Sequence, residues 1–254
     1  MVVSPEWSVP VLLTASLGTI VAFQLVTMND MRHELRRVVA HNSDWLRRQT
    51  EAYFQIYSTI HPRIPLPNLD TWAISPHTAA HLVRMVKTRR PALVLELGSG
   101  SSTLITAYCL EENGAGRVVS VDHDQHYAEQ TRRQLEEHGL AGTAQVIHAP
   151  LAPLEAARTS GVWYDLNASD MVKSMAPGSV DMILVDGPPN ELQTYARYPA
   201  VFALIDLLRP KGFFLVDDYD VPDVKAWVAA AVRNYDLKVE SVSADDSSVV
   251  LEKN

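Results

Sequence analysis

The feature that most constrains this chain is a run of short apolar strands and helix-length segments in alternation from Ser75 onward, each strand closed by a polar residue. "ALVLEL" (92–97) is apolar throughout apart from one glutamate, the pattern of a strand covered on both faces of a parallel sheet. "RVVSVD" (117–122), "AQVIHA" (144–149), "VDMILVD" (180–186) and "FFLVDD" (213–218) repeat it. Ser75-Pro76 is an N-cap followed by proline at the first helical position, opening a helix to about Lys87. Further helices are predicted from about Ser102 to Glu112, from Asp124 to a stop at Gly139, from about Leu192 to Leu208, and from Pro222 to about Asn234. "LKVESVSA" and "SSVVLEK", separated by Asp245-Asp246, close the chain as a hairpin at the sheet edge. The reading is an α/β chain with a doubly wound, mostly parallel seven-stranded sheet, whose ligands bind beyond the carboxyl ends of the strands.

The polar residues fall at those ends: Glu96 and Gly98 after the first strand, Asp122 after the second, His148 after the third, Asp186 after the fourth, and Asp217 with Asp218 after the fifth. In "LVLELGSGSSTL" the first strand enters a helix through Gly98, Ser99, Gly100, Ser101 and Ser102. A dinucleotide fingerprint, G-x-G-x-x-G with an acid roughly 20 residues on, would use Gly98, Gly100 and Asp122. Thr103 stands where its third glycine belongs, which removes the close helix–strand approach. Glu96 would repel a pyrophosphate but favour a cation, and S-adenosylmethionine carries a sulfonium and an α-ammonium group. Asp122 has a second reading as a helix cap, and His148 as an ordinary strand-end histidine.

Composition narrows the partners. The net charge is −8, which argues against nucleic acid, since a basic face is needed to displace phosphate counterions. The single cysteine, Cys109, excludes a disulfide framework and reads as a core residue at helical spacing. Trp7 to Asn29 carries no charge, about the 20 residues a membrane-crossing helix needs. Arg32, Arg36, Arg37, Arg47 and Arg48 follow it. A single-pass anchor through residues 8–28 is therefore expected, N-terminus outside and catalytic domain cytoplasmic; a buried or interfacial amphipathic helix is the alternative. Met31, Leu35, Val38, Asn42, Trp45, Gln49, Ala52 and Ile56 follow 4-3 spacing, which fits either a homodimeric coiled coil through residues 30–60 or a helix lying against its own domain. "HPRIPLPN" (61–68) ends that helix. The organisation expected is an anchor over 1–29, a helical stalk with a Pro-rich linker over 30–74, and a catalytic domain over 75–254.

"ELGSGSS", "VSVDHD", "VDGPP" and "LVDD", in this order, resemble the class I S-adenosylmethionine-dependent methyltransferases, with their Rossmann-like fold. With "WYD" and "ARYPA" the chain looks more specifically like bacterial methyltransferases associated with polysaccharide and natural-product biosynthesis. The resemblance implies that Glu96 contacts the methionine end through the loop and that Gly98, Ser99, Gly100, Ser101 and Ser102 line the donor. It also implies that Asp122 takes the ribose hydroxyls and that His123 and Ala149, beside His148, border the adenine. Ser102 replaces the last glycine of the usual motif, and Asn190 stands where the group often has glycine. Asp186 and His148 are the candidate catalytic residues. Cation-dependent O-methyltransferases are similar at Asp186, Asp217 and Asp218, which implies a Mg²⁺ site polarising a substrate hydroxyl, although Gly187, Pro188 and Pro189 depart from the catechol enzymes' pattern. Capping roles for Asp217 and Asp218 are the plainer reading. The connection from Pro150 to Gly178, with Trp163, Tyr164 and Asp165, reads as a lid or substrate wall, and Arg197 would meet an anionic substrate or pair with an aspartate. The expected function is O-methylation of a saccharide or other small-molecule precursor near the membrane. The alternatives are an NAD(P)-dependent oxidoreductase and a non-catalytic, membrane-anchored binding or scaffold protein.

Overall fold

The computed structural model describes the backbone of residues 5–69, 73–156, 159–243, 245 and 247–254, and the side chains from residue 22 onward except at 41, 70–72, 155–160, 168, 244 and 246. In chain order the elements are α1 (Pro5–Thr59), α2 (Pro76–Arg89), β1 (Leu93–Leu97), α3 (Ser101–Asn113), β2 (Arg117–Asp122), α4 (Gln125–Glu137), β3 (Ala144–His148), β4 (Leu151–Ala156), β5 (Thr159–Tyr164), α5 (Asp170–Lys173), β6 (Val180–Val185), α6 (Pro199–Leu204), β7 (Leu208–Asp217), α7 (Pro222–Asn234), β8 (Leu237–Val242) and β9 (Ser248–Lys253). Seven strands form one sheet in the order β3-β2-β1-β6-β7-β9-β8. The first five are parallel, and β9 and β8 complete the edge antiparallel. The order reverses between β1 and β6, so the carboxyl ends of these two strands border the crevice where such sheets bind ligands.

Neighbouring residues of a strand point to opposite faces, and here they enter two cores. Val94, Val118, Met182, Leu184 and Leu215 pack with α2, α3 and α4. Leu95, Leu97, Val121, Ile183, Val185 and Val216 pack with α6, α7, Trp163 and Tyr164. Caps hold the helices in the expected places: Thr78 N–H donates to Ser75 Oγ at 3.1 Å, and His126 N–H donates to Asp124 Oδ1 at 2.7 Å.

Three segments differ from the sequence expectation. The stretch after Pro150 forms an antiparallel two-stranded sheet, β4 with β5, which carries Trp163 and Tyr164 into the second core. Pro153 and Gly161 interrupt the alternation that would have marked it as strands. The helix expected over 192–208 shrinks to α6, because Pro199 opens a helix but cannot sit inside one. The fifth strand correspondingly begins at Leu208.

Residues Met1–Glu51 and Ala52–Asn254 form two compact units. In the second, the end of α1 belongs to the domain core: Ala52, Ile56 and Ile60 are buried, each isoleucine contributing about 1.5–3 kcal/mol by burial. The seam proposed for a homodimer through 30–60 is therefore shortened, since Ala52 and Ile56 already face their own domain. Arg63 fastens the following segment, donating to Glu111 at 2.6 Å and to the His138 carbonyl at 2.9 Å. In the first unit, Phe23, Val26, Met31, Leu35, Val38 and Trp45 are exposed. Among the described residues no helix is long and apolar enough to cross a membrane, so the span expected through 8–28 finds no support there. Most of that span, residues 8–21, has no described side chains.

Candidate active site

Where β1 ends, Gly98 adopts φ +95°, and a Cβ there would lie 3.3 Å from the backbone carbonyl of Asp186. Only glycine fits both the dihedral and the gap. Its N–H donates to the Val121 carbonyl at 2.8 Å, and Ser120 Oγ donates to its carbonyl at 2.7 Å. Asp122 is held from three sides: Ser99 donates to Oδ2 through N–H (2.9 Å) and Oγ (2.6 Å), and Asp124 N–H donates to Oδ1 at 2.9 Å. Behind the loop, Glu96 is fully buried. Thr103 Oγ1 donates to its Oε2 at 2.7 Å while accepting from Gly100 N–H at 3.1 Å. Burial pushes the Glu96 carboxyl up to about 7 against the opposing pull of nearby hydroxyls. Glu96 and Thr103, the two residues that set this loop apart from a dinucleotide fingerprint, are thus one hydrogen-bonded unit.

Across the crevice a second set of carboxylates gathers around one guanidinium. Arg197, only 5% exposed, places Nη2 2.8 Å from Asp218 Oδ2 and 3.8 Å from Asp186 Oδ1. Its Nε donates to the Pro188 carbonyl at 3.2 Å and Nη1 to the Asp217 carbonyl at 3.4 Å. Asn190 Nδ2 donates to Asp218 at 3.0 Å, and Thr78 Oγ1 to Asp217 Oδ1 at 2.7 Å. The Asp186 and Asp217 carboxyls lie close enough to perturb each other. Burial, then the Asp217 charge, hold Asp186 well above the usual carboxylate range, with Arg197 opposing. Burial and Asp218 push Asp217 up to about 6. Tyr164, from β5, is buried with its hydroxyl unpartnered among the described residues. Its ring meets His123 edge-on at 6.1 Å.

One cavity of about 380 Å³ joins the two sets, lined by Gly98, Ser99, Asp122, His123 and Tyr127 on one side and by Tyr164, Asp186, Arg197, Asp217 and Asp218 on the other. Residues 95–219 match the family model described as a methyltransferase domain. The chain carries a methyltransferase domain. Solved structures agree with the fold. The SAH-bound methyltransferase PaMTH1 of Podospora anserina is 15% identical with a TM-score of 0.54, over 81% of this chain and 87% of that one. A methyltransferase from Geobacter sulfurreducens is 15% identical with a TM-score of 0.52, over 74% and 82%. An O-methyltransferase from Bacillus cereus in complex with SAH is 17% identical with a TM-score of 0.52, over 80% and 89%. No curated protein matches the chain.

The methyltransferase domain brings Gly98, Ser99, Asp122, His123, Asp186, Asp217 and Asp218 to one cavity. It leaves other expected site residues behind the lining. Ser101 and Ser102 are buried in the first turn of α3, and Ala149 is buried with its N–H donating to the Asp122 carbonyl at 2.8 Å. His148, expected to be catalytic, is outside the lining; its Nε2 donates to the His123 carbonyl at 3.2 Å, so it braces the loop that carries His123. The Mg²⁺ site expected at Asp186, Asp217 and Asp218 does not fit. Among the described residues no group of three acids, histidines or cysteines is arranged to hold a metal, and Arg197 Nη2 already stands 2.8 Å from Asp218 and 3.8 Å from Asp186. Thr78 and Asn190 went unassigned in the sequence, and Asn190 was visible there only as a departure from glycine.

Proposed function

We propose that the methyltransferase domain uses S-adenosylmethionine to methylate a hydroxyl oxygen of a neutral small molecule, with saccharides the leading class. The observation that carries this reading is the single cavity in which the glycine loop and Asp122 face Asp186 and Asp217. Its lining holds five carboxylates, Asp122, Asp186, Glu191, Asp217 and Asp218, against the one guanidinium of Arg197, a balance that suits a sulfonium and disfavours an anionic acceptor. The Bacillus cereus relative, an O-methyltransferase in complex with SAH, supports the same donor and acceptor atom.

When bound, S-adenosylmethionine supplies a methyl group on a positively charged sulfur, open to in-line displacement. Gly98 and Ser99 let the backbone approach the donor, and Asp122, fixed by Ser99 and Asp124, presents its carboxylate to the ribose hydroxyls. His123 and Tyr127 wall the adenine side. The Asp186–Asp217 pair holds one proton and accepts a second from the acceptor hydroxyl. Its more acidic member titrates at about 6, close enough to neutrality for a general base to work well. Holding acceptor and donor in line is the larger effect, worth effective molarities of about 10⁵ M or more.

Calorimetry tests the donor: S-adenosylmethionine and S-adenosylhomocysteine bind and NAD does not, and binding of NAD alone would overturn the assignment. Mass spectrometry of a saccharide incubated with donor and protein should show one added methyl per acceptor, placed on oxygen by fragmentation.

We also infer that the acceptor is met near a membrane. The uncharged residues 8–28 and the arginines after them support this, as do exposed Phe23, Leu25 and Val26. The full chain should float with anionic lipid vesicles; recovery entirely in the unbound fraction refutes it. A homodimer would use the exposed Met31, Leu35, Val38 and Trp45 row, which sedimentation equilibrium of the full chain tests.

A further inference from the structure

We propose that Arg197 takes the place of a divalent cation in this site, acting as a built-in positioning charge for Asp186 and Asp218, so that methyl transfer proceeds without a metal ion. The inference rests on the proposed O-methyl transfer and concerns how the acceptor side is organised. Three aspartates at the ends of two adjacent strands would ordinarily invite a hard cation. Here a cation is already present and covalently part of the chain. Arg197 Nη2 sits 2.8 Å from Asp218 Oδ2 and 3.8 Å from Asp186 Oδ1, in the space between the two carboxylates that a bridging ion would need.

The guanidinium is held at all three nitrogens. Nε is tied to the Pro188 carbonyl at 3.2 Å and Nη1 to the Asp217 carbonyl at 3.4 Å, and the side chain is buried. Asn190 Nδ2, donating to Asp218 at 3.0 Å, and Thr78 Oγ1, donating to Asp217 at 2.7 Å, occupy further carboxylate lone pairs that a metal would claim. A dication entering this cluster would have to strip those bonds and sit against a fixed positive charge. Arg is suited to the substitution because its planar fork satisfies several oxygens at once and does not lose its proton. An acceptor would then need one reachable hydroxyl rather than a chelating pair.

The test uses the full chain, freed of metals with EDTA, and titrates it with Mn²⁺ while electron paramagnetic resonance counts the free ion. The expected result is no stoichiometric Mn²⁺ site, with methyl transfer equal in EDTA and in Mg²⁺. One Mn²⁺ bound per chain and released by Asp218→Asn would overturn the proposal. Arg197→Met, which keeps the volume and removes the charge, should lose transfer at least tenfold and gain a Mn²⁺ site absent from the wild type. A folded Arg197→Met that binds no Mn²⁺ also overturns it, whereas Arg197→Lys should retain more transfer than Arg197→Met. If Arg197→Met does not fold, the wild-type titration alone decides. S-adenosylhomocysteine calorimetry on the same samples tests the donor assignment separately, so its failure is distinguishable from a failure of the arginine.

Discussion

The two halves of the cavity handle buried carboxylates in opposite ways. On the donor side each acid has its own neutral donors: Asp122 takes Ser99 and Asp124, and Glu96 takes Thr103. On the acceptor side Asp186 and Asp218 crowd one guanidinium, and the buried Asp186 and Asp217 perturb each other. Glu96, though pushed up to about 7, lies behind the loop and outside the cavity lining, where no ligand proton reaches it. Asp217, pushed up to about 6, lines the cavity and can exchange a proton there. Under the proposed methyl transfer, the first half is the one that binds the donor and the second the one that reacts.

Asp217→Asn, which removes the member of the pair able to accept the proton, should separate the halves most sharply. Transfer is expected to fall about 10²–10⁴-fold, the range for removing a general base, while S-adenosylhomocysteine affinity stays unchanged. An equal loss of both would show the halves to be one unit. In the wild type the rate should drop tenfold per pH unit below about 6, where the pair takes up its second proton.

Glu96→Gln probes the donor side from behind. Glu96 is raised from 4.5 to about 7 in the folded state, so the native protein binds the proton more tightly than the unfolded chain does. Its stability contribution is therefore complete below about pH 4.5, declines as pH rises to about 7, and is flat beyond. The amide keeps an acceptor for Thr103 and removes the buried charge. Urea denaturation at pH 8 should show a gain of up to about 3 kcal/mol, vanishing at pH 4.

Asp122→Ala removes the acceptor of three hydrogen bonds. Donor affinity should fall about 10–100-fold, the worth of one charge-assisted bond, with Mn²⁺ behaviour unaltered. The smallest effect is expected of Tyr164→Phe. Its hydroxyl has no partner among the described residues, so the unfolding free energy in urea should change by no more than about 1 kcal/mol. A larger loss would reveal a structural role for the hydroxyl.

The same division governs what could be read in advance. The donor side lies within one stretch, strand, loop and strand from Leu93 to Asp124, so spacing alone brings Gly98, Ser99 and Asp122 together. The sheet was legible for a similar reason, because strands buried on both faces announce themselves as apolar runs. The acceptor side is assembled from distant parts of the chain. Thr78 reaches Asp217 across 139 positions, and Tyr164 arrives on a hairpin whose alternation Pro153 and Gly161 hide. Three aspartates at strand ends suggested a metal because the sequence does not reveal that Arg197 folds between them. His148 looked catalytic by its position at a strand end, yet its ring turns to the His123 carbonyl. Glu96 and Thr103 each stood out singly; their pairing needed the turn of α3 to be seen.

The close approach of Gly98 to Asp186, where a single added carbon would lie 3.3 Å from the carbonyl, ties the evolution of the two halves together. Acceptor preference can change through the outer wall at Glu191 without cost to the donor loop. Drift that shifts the Asp186 backbone is felt at once by the glycine turn. Substitutions that retune the acceptor are therefore better placed at the rim than at the seam between the two strand ends, where the backbones leave no space for an added carbon.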